Sequence, residues 1–151
     1  MLNITLIDDD TTILLVTEAL LKNENYINDN DTINSLTSIS NLDDYEILNL
    51  VKNTDIVICD HDLGSNSIEG LDFLKKLKSF QFKGLLVLLT GDESYNMRAR
   101  IDSEDNIHYV IKNIESSKNG TINQLGNLIS NFRDGGMIKN YNQGANNETN
   151  I

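Results

Sequence analysis

Proline is absent from this chain of 151 residues, and cysteine occurs once. The lone Cys59 rules out a disulfide framework and a zinc site built on cysteines. It sits inside an apolar run, where a thiol behaves as a small buried hydrophobe. Positive charge is also scarce: 12 Lys and Arg face 23 Asp and Glu, a formal net charge of -11. Binding along a phosphate backbone needs clustered Lys and Arg to release counterions, so no direct nucleic-acid face is expected. Long apolar runs are missing as well, and the N-terminus enters its first apolar run without a basic region or cleavage site. No membrane span is expected, and the chain is predicted to be soluble and cytoplasmic. Its length suits one domain with a proper core.

Four short apolar runs are present: Asn3 to Ile7, Asp55 to Cys59, Leu85 to Leu89 and Tyr109 to Ile111. Each reads as a buried strand. Between them lie segments of helical period. Asp10 to Lys22 carries Ile13, Leu14, Leu20 and Leu21, with Asp10 or Thr11 as cap. Ile68, Leu71, Leu74 and Leu77 form a stripe after Asn66 or Ser67 as cap. Ile122, Leu125, Leu128, Ile129 and Phe132 form another, opened by Thr121. Two further helices are predicted over Asn41 to Asn53, on Leu42, Tyr45, Leu48 and Val51, and over Asp92 to Asp102, on Tyr95 and Ala99. The polar stretch Asn23 to Ser40 offers only Ile33, Leu36 and Ile39 as anchors and is assigned an edge strand.

The alternation βαβαβαβαβα predicts an α/β fold, a doubly wound five-stranded parallel sheet with helices on both faces. Right-handed crossovers and one switch point give strand order 2-1-3-4-5. Residues 1–133 form the expected domain, and 134–151, rich in Gly, Asn, Gln and Thr, the expected flexible polar tail or linker stub.

Asp8-Asp9-Asp10, Asp60, Thr90 and Lys112 each fall at the end of one of the apolar runs. Parallel sheets build their sites outside the carboxyl ends of the strands, so these side chains should converge on one acidic pocket. A carboxylate cluster, a further carboxylate, a hydroxyl and an ammonium suit Mg²⁺ binding and acceptance of a phosphoryl group. Taken singly, each has a plainer use. The acids at 8 to 10 suit a helix N-terminus, Lys112 a solvated strand end and Thr90 a turn. His61 has no nearby His or Cys to complete a metal site and reads as an ordinary loop residue.

Together, Leu6-Ile7-Asp8-Asp9, Ile58-Cys59-Asp60-His61-Asp62-Leu63, Gly70-Leu71, Leu89-Thr90-Gly91 and Tyr109-Val110-Ile111-Lys112 resemble the receiver domains of two-component response regulators, over about residues 1–133. The resemblance implies a flavodoxin-like receiver fold and a phosphorylation-controlled signalling switch rather than a metabolic enzyme. It implies Asp60 as phosphoacceptor, with Mg²⁺ held by Asp8, Asp9, Asp60 and the backbone carbonyl of Asp62. Lys112 and Thr90 would stabilise the phosphoryl group, and Thr90 and Tyr109 would act as switch residues. Asp62 and Asp92 stand where the family tunes its reaction rates. The implied partners are a sensor histidine kinase or histidine phosphotransfer protein and a downstream output protein or domain. Docking or homodimerisation would use the fourth helix, fifth strand and fifth helix.

Gly64 and Asn113 stand where most receivers carry proline, and the segment Asp60 to Gly70 is slightly long. Without proline, the peptide between Lys112 and Asn113 is expected trans, since cis costs about 3–4 kcal/mol before other residues. Two rival readings remain. Asp60-His61-Asp62 after an apolar strand also matches the nucleophile and acid pair of haloacid-dehalogenase-like phosphatases, but that family places its last acids after the lysine. A pseudo-receiver used as a binding module would normally have lost an acid or the lysine.

Overall fold

The computed structural model describes residues 1–112 and 120–135. Five strands, β1 (Asn3–Ile7), β2 (Thr32–Leu36), β3 (Ile56–Asp60), β4 (Leu85–Thr90) and β5 (Ile107–Ile111), form one sheet in the order β2-β1-β3-β4-β5. All four pairings are parallel, with Ile4 opposite both Ile33 and Ile56, Ile58 opposite Val87, and Leu88 opposite Tyr109. The helices α1 (Thr11–Asn23), α2 (Asp44–Asn53), α3 (Gly70–Ser79), α4 (Tyr95–Asp102) and α5 (Thr121–Arg133) connect or follow them. Fold class and strand order are those expected from the sequence.

Strand alternation divides the core in two. Ile7, Val57, Cys59, Leu86, Leu88, Ile107 and Tyr109 point to one side and meet Ile47, Leu71, Leu74, Leu77, Met97 and Ile101 of α2, α3 and α4. Ile4, Leu6, Ile56, Ile58, Val87, Leu89 and Val110 point to the other and meet Leu14 and Leu21 of α1 and Leu125, Leu128 and Ile129 of α5. Residues buried on both faces explain why β3 and β4 read as unbroken apolar runs.

Several local expectations need correction. Asp60 is itself the last residue of β3, and β5 begins two residues before Tyr109, enclosing buried His108. On α1, Ile13 and Leu20 stay 38% and 40% exposed, and only Leu14 and Leu21 are buried. On α2 the inward residue is Ile47, with Leu42, Leu50 and Val51 partly buried beside it, while Tyr45 and Leu48 face out. α4 likewise buries Met97 and Ile101 and exposes Tyr95. Cap chemistry sets these phases. Asp43 forms a reciprocal capping box with Glu46, and Ser94 accepts from Met97 N–H, so α2 and α4 each start later than hydropathy alone suggests. Neither Asn66 nor Ser67 caps α3: its N-cap residue is Glu69, whose side chain makes no capping bond. Asp10 does cap α1, accepting from Thr12 and Ile13 N–H.

α5 is fastened to the chain between α1 and β2. Arg133 pairs with Asp31 at 2.6 Å and donates to the Tyr26 carbonyl, and the Tyr26 hydroxyl donates to Asn123. The Tyr26 ring occupies the place where a Cβ on Gly126 would stand, so any larger residue must displace that ring. The peptide between Lys112 and Asn113 and the segment 136–151 lie outside the described residues.

Candidate functional site

The sheet delivers the site because its strands are parallel. Asp8 follows β1, Asp60 ends β3, Thr90 ends β4 and Lys112 follows β5, so all four reach the same edge. Ladder-like bonds extend past the strand ends and fix these backbones: Asp8 N–H to Leu36 O, His61 N–H to Leu89 O, and Lys112 N–H to Thr90 O. α3 begins directly against this edge. Gly70 N–H donates to His61 O at 2.8 Å, and a Cβ on Gly70 would lie 2.1 Å from the Asp60 carbonyl oxygen. Only glycine permits that approach.

Lys112 Nζ lies 3.0 Å from Asp60 Oδ1 and 3.9 Å from Asp8 Oδ2. Carboxylate oxygens of Asp8, Asp9 and Asp60 all lie within 4.8 Å of one another. Asp8 and Asp60 are each only 4% exposed, whereas Asp9 is open to solvent. Burial raises the pKa of Asp60, and the Asp9 and Asp62 charges add to this against the opposing bond and charge of Lys112. Burial also raises Asp8, with the Asp60 and Asp9 charges adding and the Asp10 N–H and Lys112 opposing. For Lys112 burial acts downward, but the hydrogen bond and charge of Asp60, with the Asp8 and Asp9 charges, outweigh it and raise its pKa. Asp8 Oδ1 accepts from Asp10 N–H at 2.9 Å, while its buried Oδ2 has no hydrogen-bond partner. An unsatisfied buried carboxylate oxygen among two further acids is the donor set a hard dication takes, and the residues present therefore fit Mg²⁺.

Thr90 is buried, and its Oγ1 accepts from Asp92 N–H at 3.0 Å, leaving the hydroxyl proton free to point elsewhere. Asp60, Thr90 and Lys112 line one cavity of about 790 Å³ that also takes in His61, Glu69 and Arg100. A second cavity of about 720 Å³ adjoins it on the α1 side, lined by Asp8, Asp9, Ile13, Asp60 and Lys112 among others. Asp60 thus stands between an acidic chamber and a mixed one. Asp62 and Asp92 sit exposed at the rim. The Asp62 side chain accepts from Gly64 N–H, and bonds from Ser94 lower the pKa of Asp92. Tyr109 is buried in the core rather than at the rim, beneath α4.

His61 is more than a loop residue. Its Nδ1 accepts from Leu71 N–H at 3.4 Å, and its Nε2 lies 3.4 Å from Glu69 Oε2. Glu69 Oε1 in turn takes a 2.7 Å bond from Arg100 Nη2. Sequence reading passed over Glu69 and Arg100, which lie 31 residues apart with no motif joining them.

The sequence matches no protein-family model and no curated protein. Solved structures do resemble the fold. A response regulator receiver domain protein from Clostridium thermocellum shares 22% identity at a TM-score of 0.62, over 89% of this chain and 95% of that one. A CheY-like receiver domain protein from Methanospirillum hungatei JF-1 shares 18% identity at a TM-score of 0.62, over 90% and 99%. The response regulator protein TrrA from Thermotoga maritima, in complex with Mg²⁺ and BeF, shares 20% identity at a TM-score of 0.61, over 87% and 99%. With five parallel strands in the order 2-1-3-4-5 and five helices, this chain has the fold of the response regulator receiver domains.

Proposed function

We propose that residues 1–133 act as a receiver domain that takes a phosphoryl group onto Asp60 in a Mg²⁺-dependent step and works as a signalling switch. The observation that carries this reading is the placement of Asp60 Oδ1 3.0 Å from the Lys112 ammonium, with the Asp8 and Asp9 carboxylates grouped beside it. An oxygen of Asp60 attacks the phosphorus of a phosphohistidine donor, the P–N bond breaks, and the imidazole leaves with its electron pair. Asp8, Asp9, Asp60 and the Asp62 carbonyl would hold Mg²⁺. The ion supplies charge neutralisation, without which three acids would repel the incoming phosphate. Lys112 supplies a fixed positive charge to the phosphoryl oxygens, and the Thr90 hydroxyl a neutral donor. Tyr109, packed under α4, would follow Thr90 in the switch, and Asp62 and Asp92, at the rim, would tune the rates of gain and loss.

Histidine kinase or histidine phosphotransfer protein as donor, an output protein or domain as reader, and a cytoplasmic setting all belong to this reading. The surface of α4, β5 and α5 is the proposed output face, homodimerisation included. The phosphatase alternative finds less support. α5 runs back from Thr121, which donates to Ile111 O near the site, to Arg133 beside Asp31 at the opposite end of the sheet. Of the acids the chain offers after the lysine, Glu115 lies outside the described residues and Asp134, at the end of α5, therefore lies far from Asp60.

Intact-mass measurement after incubation with an acyl phosphate, with and without Mg²⁺, tests the proposal. One phosphoryl mass is expected on the wild type with Mg²⁺ and none on Asp60→Ala. Steady hydrolysis of p-nitrophenyl phosphate, abolished alike by Asp60→Asn and Asp62→Asn, would decide for the phosphatase instead.

A further inference from the structure

Outside the carboxylates and the lysine, one run of polar contacts leads from the residue after Asp60 to α4. His61 takes the Leu71 N–H on Nδ1, so its remaining proton sits on Nε2 and faces Glu69 Oε2 at 3.4 Å. Glu69 is the N-cap residue of α3 yet leaves that helix uncapped. Its carboxylate is turned instead to His61 and to Arg100. The Arg100 guanidinium holds the Glu69 carboxyl below its ordinary pKa, and the nearby His61 adds to this. An exposed ion pair of this kind ordinarily contributes little. Three features of this one give it more to do.

α4 is short, eight residues, and buries only Met97 and Ile101, so few apolar side chains attach it and the Arg100–Glu69 pair adds to them. The first turn of α3 relies on the His61 ring for one of its unpaired N–H groups, which ties that turn to the acceptor's neighbour. His61, Glu69 and Arg100 also line the same cavity as Asp60. Arg100 and Glu69 have side chains 43% and 49% exposed, against 6% for the Asp60 side chain, so the pair spans the outer rim and Asp60 lies at the floor.

We propose that His61, Glu69 and Arg100 form a clasp that holds α4 to the first turn of α3 across the rim of the Asp60 cavity, so that the mobility of α4 and access to Asp60 are set together. The half of this that concerns access rests on Asp60 being the phosphoacceptor; the half that concerns α4 does not.

Two readouts on the full chain separate these halves. Amide hydrogen exchange by mass spectrometry, without phosphodonor, follows residues 95–102, with residues 121–133 as internal control. The rate of Asp60 modification by an acyl phosphate and Mg²⁺ follows access. Arg100→Ala and Glu69→Gln should each speed exchange in α4 by about threefold, the scale of an exposed pair, leave α5 unchanged and speed modification in parallel. Arg100→Lys, which keeps the charge, should stay near wild type. His61→Phe, a ring without nitrogen, should speed exchange over residues 70–73. Unchanged α4 exchange in both Arg100→Ala and Glu69→Gln overturns the clasp. Faster exchange with an unchanged modification rate overturns its coupling to Asp60. If the wild type takes up no phosphoryl group at all, the reading of Asp60 fails while the exchange data still decide whether the clasp exists.

Discussion

At the scale of single residues, the site holds carboxylates whose burial a cation would offset. Burial and neighbouring charge raise the pKa values of Asp8 and Asp60 above the ordinary 3.8. A carboxyl group raised in the folded state favours the fold when protonated, and that advantage is lost as pH climbs through its raised value. Asp8→Asn keeps an oxygen for the Asp10 N–H while removing the charge. It should therefore raise the melting temperature of the metal-free protein at pH 7. The gap to wild type should close as pH falls toward 4; thermal melts across that range check the sign, and a destabilised Asp8→Asn would show that the attraction of Lys112 for the Asp8 charge outweighs burial and the neighbouring acids. Gly70 makes a sharper case. An added methyl meets the backbone carbonyl of Asp60, not a side chain that could swing away. Gly70→Ala should cost about 2–3 kcal/mol in urea unfolding and slow phosphorylation, because relief must displace Asp60 itself. The acids, threonine and lysine were legible in the sequence because strand ends and turn residues coincide there. Glu69 and Arg100 were not, since an ion pair between the start of α3 and the last turn of α4, 31 residues apart, leaves no local pattern.

At the scale of elements, hydrophobic periodicity located every helix and four strands well and found the inward stripes of α3 and α5, but it erred on which face of α2 and α4 turns inward. On α2 and α4 the apolar residues are few and share the helix with exposed Tyr45, Leu48 and Tyr95, so the stripe can be drawn in more than one phase. The caps at Asp43 and Ser94 settle it. β2 gave little signal because it is an edge strand with no buried residue, held by pairing to β1 alone. The attachment of α5 was hidden for a different reason: its parts, Tyr26, Asp31, Gly126 and Arg133, are spread through the chain. It carries two predictions. Glycine inside a helix normally costs about 1 kcal/mol relative to alanine, so Gly126→Ala on an exposed helix would stabilise. Here the Tyr26 ring occupies the space, and the substitution should instead destabilise by about 1–3 kcal/mol. Tyr26→Ala should restore the normal sign in the double variant, as a double-mutant cycle would register. Asp31 has its pKa lowered far below 3.8, first by the Arg133 hydrogen bonds and then by Asn28 and Leu2 N–H against its burial. A depressed carboxyl supports the fold above its unfolded value and loses that support as pH falls below it. Asp31→Ala should thus cost about 2–3 kcal/mol at pH 7, with two backbone N–H groups left unpaired, and progressively less below pH 4.

At the scale of the whole molecule, the chain carries a net charge of -11, and the Asp8, Asp9 and Asp60 carboxylates group at the edge of the sheet that holds the candidate site. Two effects of added salt must then be told apart. Any salt screens the general self-repulsion and should raise the melting temperature slightly. Mg²⁺ should do more at matched ionic strength, because an ion that binds only the folded state stabilises it by mass action, about 1.4 kcal/mol at tenfold above its Kd. That surplus requires ionised ligands, and Asp8 and Asp60 have raised pKa values. It should therefore grow as pH rises from 5 to 7.5 and shrink toward acid, as protons displace the ion. Asp9→Ala should erase most of the surplus while leaving the screening effect intact, since Asp9 is exposed and contributes to the cluster without supporting the core. Parallel melts in MgCl₂ and in NaCl of equal ionic strength, on wild type and Asp9→Ala at three pH values, make the comparison. Equal shifts in both salts would mean that the three carboxylates repel one another without forming a site, and the proposed Mg²⁺-dependent chemistry at Asp60 would lose its physical basis.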